Sequence, residues 1–484
     1  MARGMTLVSD LDLARDNAAP TEIASVKVVA QSSGSARRSV KQMAVRGSLW
    51  TIFGFGAAQI LRLGSNLVLT RLLFPRAFGL MSLISIFMQG LTMFSDLGIG
   101  PSIVRSQRGE DDLFLHTAWT IQAIRGVVLW LCMCLLAWPV SQFYGEQQLW
   151  AIFPVLGLNA LINGLNSTSM FVARRRLLIG RLVLVQMAAQ VVSICTVISF
   201  ALVYRSVWAL VAGSMVSAFA TLLMSYVWLP GPSPRFRWDR EARRELFSFG
   251  KWITLSSAMF FIGSQGDRLF LGKFIQLSEL GVYSVAVMLA EPLMSINTQL
   301  SYNVLYPALS QAIRADASRT ARVFYQSRLR LDAMFLPVLG VLVAIAPWAV
   351  AILYDKRYQQ AGWILQFLAL RAILACIARP CEVILVAIGK SVYAFAQHIA
   401  RMTWLVIGVP LGWHVGGLHG LVWAVALSEV PVVLLLWFGL RRHALLRLNR
   451  EVLACLFAVG GFLVGLSIDL WLRHSNLLMH LRHR

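Results

Sequence analysis

The chain has 484 residues, 58% of them hydrophobic and 14% charged, with a mean hydropathy of +0.67. A water-soluble domain of that length needs more polar surface, so composition excludes a soluble globular enzyme. The formal net charge of +22 invites a nucleic-acid reading, but the Arg residues sit in short segments between apolar runs, a membrane-topology pattern with no recognition fold attached.

In chain order, residues 1–44 read as a disordered cytoplasmic tail, rich in Ala and Ser and without the apolar core of a secretory signal. Apolar runs then predict transmembrane helices near 49–70, 79–100, 118–140, 150–172, 182–203 and 207–229, a six-helix N-lobe over 45–229. Val183 to Val203 and Leu421 to Leu440 are continuously apolar, which fits helices rather than the alternating strands of a barrel. A basic cytoplasmic linker, 230–251, leads to a six-helix C-lobe over 252–440, with spans near 252–272, 281–306, 331–353, 363–388, 392–411 and 419–440. Residues 441–484 form a basic segment whose apolar stretch, 452–472, supplies one extra C-terminal helix that either crosses or does not.

Charge supports the even count. With the tail inside, 22 Lys and Arg fall on its side, in 105–108, 174–181, 235–251, 314–330, 390 and 441–450. Only Arg71, Arg76, Arg205, Lys273, Lys356 and Arg357 fall on the other, and one missed span would erase the asymmetry. The two halves also read alike. Gly47-Ser48-Leu49-Trp50, Thr70-Arg71-Leu72-Leu73 and Phe78-Gly79-Leu80-Met81 match Gly250-Lys251-Trp252-Ile253, Gly272-Lys273-Phe274-Ile275 and Leu280-Gly281-Val282-Tyr283 at similar spacing. Six spans separate the copies, so the repeat is parallel: an all-α polytopic membrane protein with two lobes and a substrate site between them.

Ionisable side chains inside spans are costly and mark cavities or partners. Arg62, Arg125, Arg268, Arg371 and Arg401 are the binding candidates, because a guanidinium fork suits phosphate oxygens; the competing reading pairs them with nearby acids. Asp267, Glu291, Glu382 and Glu429 are candidate ion-coupling or cavity acids, and Pro292 marks a kink after Glu291. Asp96, Asp332 and Arg379 lie near span ends, where snorkelling accounts for them. The six cysteines and the His414/His419 pair around Gly416-Gly417 lack the ligand set of a metal site, so they read as packing and turn residues; no metal or cofactor is expected. Phosphate-loop, nucleophile-elbow and His-Glu-x-x-His signatures are missing, so no catalytic residue is assigned.

Asn66-Leu67-Val68-Leu69-Thr70-Arg71-Leu72-Leu73, Phe78-Gly79-Leu80 and Phe94-Ser95-Asp96-Leu97-Gly98-Ile99-Gly100 open a pattern that resembles bacterial polysaccharide transporters. These are the Wzx-like flippases of the multidrug, oligosaccharidyl-lipid and polysaccharide exporter superfamily. Asp267-Arg268-Leu269, Leu280 to Ala286, Leu305-Tyr306-Pro307-Ala308-Leu309 and Leu353-Tyr354 with Tyr358 and Ala361 continue the likeness over roughly 44–440. The resemblance implies an inner-membrane protein that moves undecaprenyl pyrophosphate-linked oligosaccharide by alternating access through a central cationic cavity. Membrane lipids, and the polymerase and glycosyltransferases of the pathway, are the implied partners. The alternatives are an ion-coupled drug or metabolite antiporter of the same superfamily, which would favour acidic cavities, and a membrane glycosyltransferase or polymerase, which would need a large extramembrane loop. No predicted loop exceeds about 20 residues, near the range of simple connections.

Overall fold

A backbone in lipid must satisfy its own hydrogen bonds, so a chain of apolar runs resolves into helices joined by short caps and turns. The computed structural model of the protein describes residue 50 and residues 53–229, 231, 234–315 and 320–474. The tail 1–44, Gly47 to Leu49 of the repeat and residues 475–484 lie outside the described residues.

The first half opens with helix α1 (53–72). Pro75 at the first turn starts α2 (Pro75–Phe94), where its missing N–H costs nothing. Gly98, in the left-handed conformation at φ 61°, caps the short α3 (Ile99–Arg105). Asp111 accepts from Leu113 N to start α4 (Asp112–Tyr144), and Gly145 at φ 70° ends it. The span predicted as one helix over 150–172 is broken. α5 (Gln148–Gly164) and α6 (Ser169–Arg175) meet at 56° across residues 165–168. The opened backbone is held by polar side chains, Gln122, Trp119 and Tyr226 donating to its carbonyls and Ser167 Oγ accepting from Ser169 N, so apolar length alone does not reveal the break. α7 (Ile179–Val203) and α8 (Val207–Val227) complete this half.

In the second half, α9 (Arg240–Phe274) starts inside the segment read as linker, because Asp239 accepts from Glu241 N and Ala242 N and makes a cap there. α10 (Leu277–Leu300) runs on through Pro292, passes a π-helical turn at Ser301–Leu305, and continues as α11 (Tyr306–Ala315). α12 (Thr320–Leu353) and α13 (Ala361–Ala387) follow. α14 (Val392–Ala426) is a hairpin, since Gly416 and Gly417 leave helical geometry and Gly417 takes φ 55°, ψ −134°. Its arms touch where Gly412 and Gly420 meet backbone to backbone, and any Cβ there would lie within 2.4 Å of the opposing carbonyl. A 3₁₀ turn at Leu427–Glu429 then leads to α15 (Val430–Arg442).

Nine of the described helices are long and apolar enough to cross a membrane, and the bent α5–α6 pair makes a tenth. One of the nine, Val392–Arg442, has 51 residues. At 1.5 Å per residue that is more than twice the roughly 30 Å hydrocarbon thickness, so the Gly416-Gly417 break divides it into two crossings. α1 and α9 are not among them; α1 carries Arg62 and α9 carries Asp267 and Arg268, which line cavities.

The open question of 452–472 has a structural answer: α16 (Leu448–His474) packs along the length of α12. Gly340 meets Ala458 O, and Gly461 and Gly465 meet the backbones of Pro337 and Val341, so small residues let the two helices approach closely. The pair is also locked by charge. Arg328 Nη1 and Nη2 donate to Glu451 Oε1 and Oε2 at 2.5 and 2.7 Å, and Arg328 Nε lies 3.2 Å from Asp332 Oδ2. Two expectations are corrected here. Arg328, counted with the loop cations, is 1% exposed, and Asp332, assigned to snorkelling at a span end, is buried against it. Both follow from α12 beginning at Thr320, eleven residues before the predicted span.

The halves meet across α2 and α10. A Cβ on Gly79 would lie 1.9 Å from Leu277 O, and one on Gly281 would lie 1.9 Å from Pro75 O. Each glycine thus faces the carbonyl four residues before the other. Three further contacts close the same end: Tyr354 OH donates to Asn66 Oδ1 at 2.9 Å, Tyr358 OH to Leu73 O at 3.0 Å, and Arg357 Nη2 to Arg71 O at 3.0 Å. Arg357 also donates to Asp355, which holds that carboxyl below its usual range.

Candidate functional site

α9 presents Asp267 and Arg268, α10 presents Glu291, α13 presents Arg371, Arg379 and Glu382, and the α14 hairpin with its 3₁₀ turn presents His398, Arg401 and Glu429. All of them line one cavity of about 700 Å³. Helical spacing explains why: Arg371, Ala375, Arg379 and Glu382 follow one another at three- and four-residue steps, as do His398 and Arg401, so each set faces one side.

The charges are paired in a chain. Tyr283 OH donates to Asp267 Oδ2 at 3.1 Å, and Arg371 Nη1 donates to the same oxygen at 2.8 Å. Arg371 Nε stands 3.7 Å from Glu429 Oε1, whose other oxygen accepts from Arg401 Nη2 at 2.7 Å. Arg379 Nη1 donates to Glu382 Oε2 at 2.5 Å, and Tyr302 OH donates to Glu382 Oε1 at 2.8 Å. Arg268 and Glu291 are looser, at 3.7 Å. Four guanidinium groups therefore face four carboxylates across the cavity, balanced in charge rather than net cationic as the resemblance implies. Of the five candidate arginines, Arg268, Arg371 and Arg401 pair with acids, as the competing reading has it, and at the same time line the cavity.

Seven of the nine candidate site residues are brought together here: Arg268, Arg371, Arg401, Asp267, Glu291, Glu382 and Glu429. Arg62 lies in an adjoining recess that shares Phe55, Glu291 and Ser295 with the main cavity, and its side chain makes no hydrogen bond or ion pair to the described residues. Arg125 does not join them. It faces a separate hollow in the first half, with its guanidinium donating to Ser95 Oγ at 2.9 Å and Thr92 O at 2.6 Å. Arg379, assigned to snorkelling, instead faces the main cavity from within α13. The break after residue 164 and the start of α4 at Asp112 shape the hollow that Arg125 faces, and neither is visible in apolar length.

Tyr302, His398 and Gln265 also line the cavity, and a search of the sequence for Asp, Glu and Arg at membrane depth passes over them. His398 had one available signal, its place three residues before Arg401. Among the described residues no group of three or more His, Cys, Asp or Glu could hold a metal ion.

A multi-pass helical protein with a charged cavity buried at membrane depth is built as a transporter-like membrane protein. Residues 68–362 match the family model described as "Polysaccharide biosynthesis protein", more than half of the chain, and the protein belongs to that family. Among curated relatives it is 21% identical to the lipopolysaccharide biosynthesis protein WzxC of Escherichia coli (strain K12), over 83% of this chain and 81% of that protein. It is 22% identical to the succinoglycan biosynthesis transport protein ExoT of Rhizobium meliloti (strain 1021), over 84% and 82%. Among solved structures it superposes on the lipid II flippase MurJ in an inward closed conformation with a TM-score of 0.66, at 11% identity, over 89% of this chain and 99% of that one. An inward-facing multidrug resistance transporter of the MATE family gives 0.60 at 17% identity, over 80% and 95%. At these identities the structural likeness is one of fold.

Proposed function

We propose that this protein carries undecaprenyl pyrophosphate-linked oligosaccharide across the bacterial inner membrane for surface or exopolysaccharide synthesis, by alternating access between two six-helix lobes. The observation that carries this reading is the set of four guanidinium groups, Arg268, Arg371, Arg379 and Arg401, around one cavity at membrane depth. An organic cation is repelled by them and a neutral sugar takes hydrogen bonds from them only at uncharged oxygens, whereas a pyrophosphate accepts charge-assisted bidentate donation from more than one. The carboxylates keep the empty site neutral, which lowers the cost of burying the arginines, and they leave donors such as Arg371 Nε without a hydrogen-bond partner. An arriving pyrophosphate takes over these donors. The polyprenyl tail stays in lipid, and the protein moves its cargo without transforming it.

The closed end carries Arg71, Arg76, Lys273, Lys356 and Arg357, the side poor in basic residues, which the positive-inside rule assigns to the periplasm. The tail is then cytoplasmic, and the cavity is shut off from the periplasm by the α2–α10 crossing. Gly79 and Gly281, which correspond in the apparent repeat, meet reciprocally at that crossing, as an axis along the membrane normal between the lobes requires. Deleting the gene abolishes surface polysaccharide in this account, and an Arg371→Ala copy expressed at wild-type level fails to restore it. Full restoration by that variant removes the cavity from the reading.

A further inference from the structure

A second hollow, of about 440 Å³, lies in the first half between α2, α4 and the broken α5–α6 pair. Its wall includes Asn159, Asn163, Asn166 and Phe171 together with the charged Asp96, Arg125 and Arg174, and the Arg125 guanidinium already donates to Ser95 Oγ and Thr92 O. The carbonyls of residues 163–166 at the break are held by side chains from neighbouring helices. Gln122 Nε2 donates to the carbonyls of Asn163, Gly164 and Asn166 at 3.1, 3.2 and 3.1 Å, and Trp119 Nε1 and Tyr226 OH donate to Leu165 O at 3.2 and 2.6 Å.

The side-chain amides are only half held. Asn159 gives Nδ2 to Ser214 Oγ at 3.2 Å, and Asn166 gives Nδ2 to Asn163 Oδ1 at 3.2 Å. Oδ1 of Asn159 and Oδ1 of Asn166 are buried and accept from no donor among the described residues. A buried acceptor without a donor is costly, and such a pair in a cavity wall calls for a ligand that brings donors. Ionised phosphate brings none. A sugar hydroxyl both donates and accepts, so it satisfies an amide oxygen and can take a hydrogen bond from a neighbouring amide. Phe171 adds an apolar ring face of the kind that covers the C–H side of a sugar ring.

We infer that this hollow is the subsite for the neutral, hydroxyl-rich part of the cargo, a carbohydrate chain, while the arginine cavity holds its anionic link. This rests on the function proposed above. The two compartments are neighbours along one course: a bridging hollow shares Met88, Thr92 and Asn159 with the amide-lined one and Gln89 with the arginine cavity. A pyrophosphate at the second half's arginines therefore directs its glycan across the midline toward the α5–α6 break. Irregular backbone at membrane depth is tolerated where it lines a cavity, and broken helices in transporters often frame the substrate.

The test uses the full-length protein in lipid nanodiscs and two probes. One is the lipid-linked oligosaccharide extracted from a polymerase-deficient strain of the native host. The other is undecaprenyl pyrophosphate without sugar. Wild type binds the glycosylated lipid about ten-fold more tightly than the bare one, the yield of two modest hydrogen bonds. Asn159→Ala/Asn166→Ala binds the two alike, with bare-lipid affinity unchanged, which also shows that the variant is folded. If the double variant loses bare-lipid binding, Asn159→Ala alone is used and loses part of the preference. Retention of the full glycan preference in a variant that still binds bare lipid overturns the subsite, as does wild type binding both probes equally. Wild type binding neither overturns the proposed function and the subsite with it.

Discussion

Glu451→Ala removes the carboxylate that holds Arg328, and the structure sets the size of the effect. Arg328 is 1% exposed and Glu451 2% exposed, and the two are joined by a bidentate pair at 2.5 and 2.7 Å. Breaking a buried pair from one side leaves the other charge uncompensated, at about 3–5 kcal/mol. Asp332, 3.2 Å from Arg328 Nε, remains as its charged partner, which places the loss toward the lower end, about 3 kcal/mol. The assay is thermal unfolding of purified protein in detergent, followed by intrinsic fluorescence, with the triple variant Arg328→Met/Asp332→Leu/Glu451→Leu beside it. The single variant melts several degrees lower, and the triple variant, with no charge left to bury, recovers most of that loss. An E451A protein that melts with wild type would show that α16 is not bound to α12 as described. A triple variant as unstable as the single would show that the loss came from packing rather than from an orphaned charge.

Gly79→Leu and Gly281→Leu drive a side chain into the opposing carbonyl, which an added Cβ alone would approach to 1.9 Å, so each weakens the closed end to a similar degree. A cysteine placed at Lys356 or Phe74 reports this as faster labelling by a membrane-impermeant thiol reagent in both variants, and unchanged labelling in both contradicts the crossing. Arg62→Ala and Arg268→Ala, which remove the least tightly paired cations, each lower transport at least about ten-fold, whereas Arg125→Ala, outside the arginine cavity, lowers it less. Equal loss in all three would return Arg125 to the binding set. A reporter fused after Arg450 reads cytoplasmic and one fused after His474 reads periplasmic. The same reading at both would mean that α16 does not cross.

Hydropathy made the spans legible because lipid imposes one rule on every crossing helix, and the boundary errors lie where polar caps override it. Asp239 starts α9 inside a segment that charge alone assigns to a loop, and the Asn163 to Thr168 run breaks a span that apolar length joins. The candidate site was largely legible for the same reason, since seven of the nine charged residues chosen for their depth line one cavity. Arg328 and Glu451 were not. Both lie at the ends of apolar runs, where exposed and buried charges look alike in a sequence, and only the packing of α16 on α12 separates them. Arg125 shows the opposite limit: depth marks a residue as facing a cavity without saying which one.

The most direct measurement of the central claim is translocation by purified protein in proteoliposomes carrying a fluorescently labelled lipid-linked oligosaccharide in both leaflets. A membrane-impermeant quencher is added from outside. Wild type makes the inner-leaflet label accessible to the quencher, and Arg371→Ala, with its Asp267 and Glu429 partners left in place, slows this at least about ten-fold. No wild-type translocation under an imposed ion gradient or without one, or equal rates in the two proteins, contradicts the account.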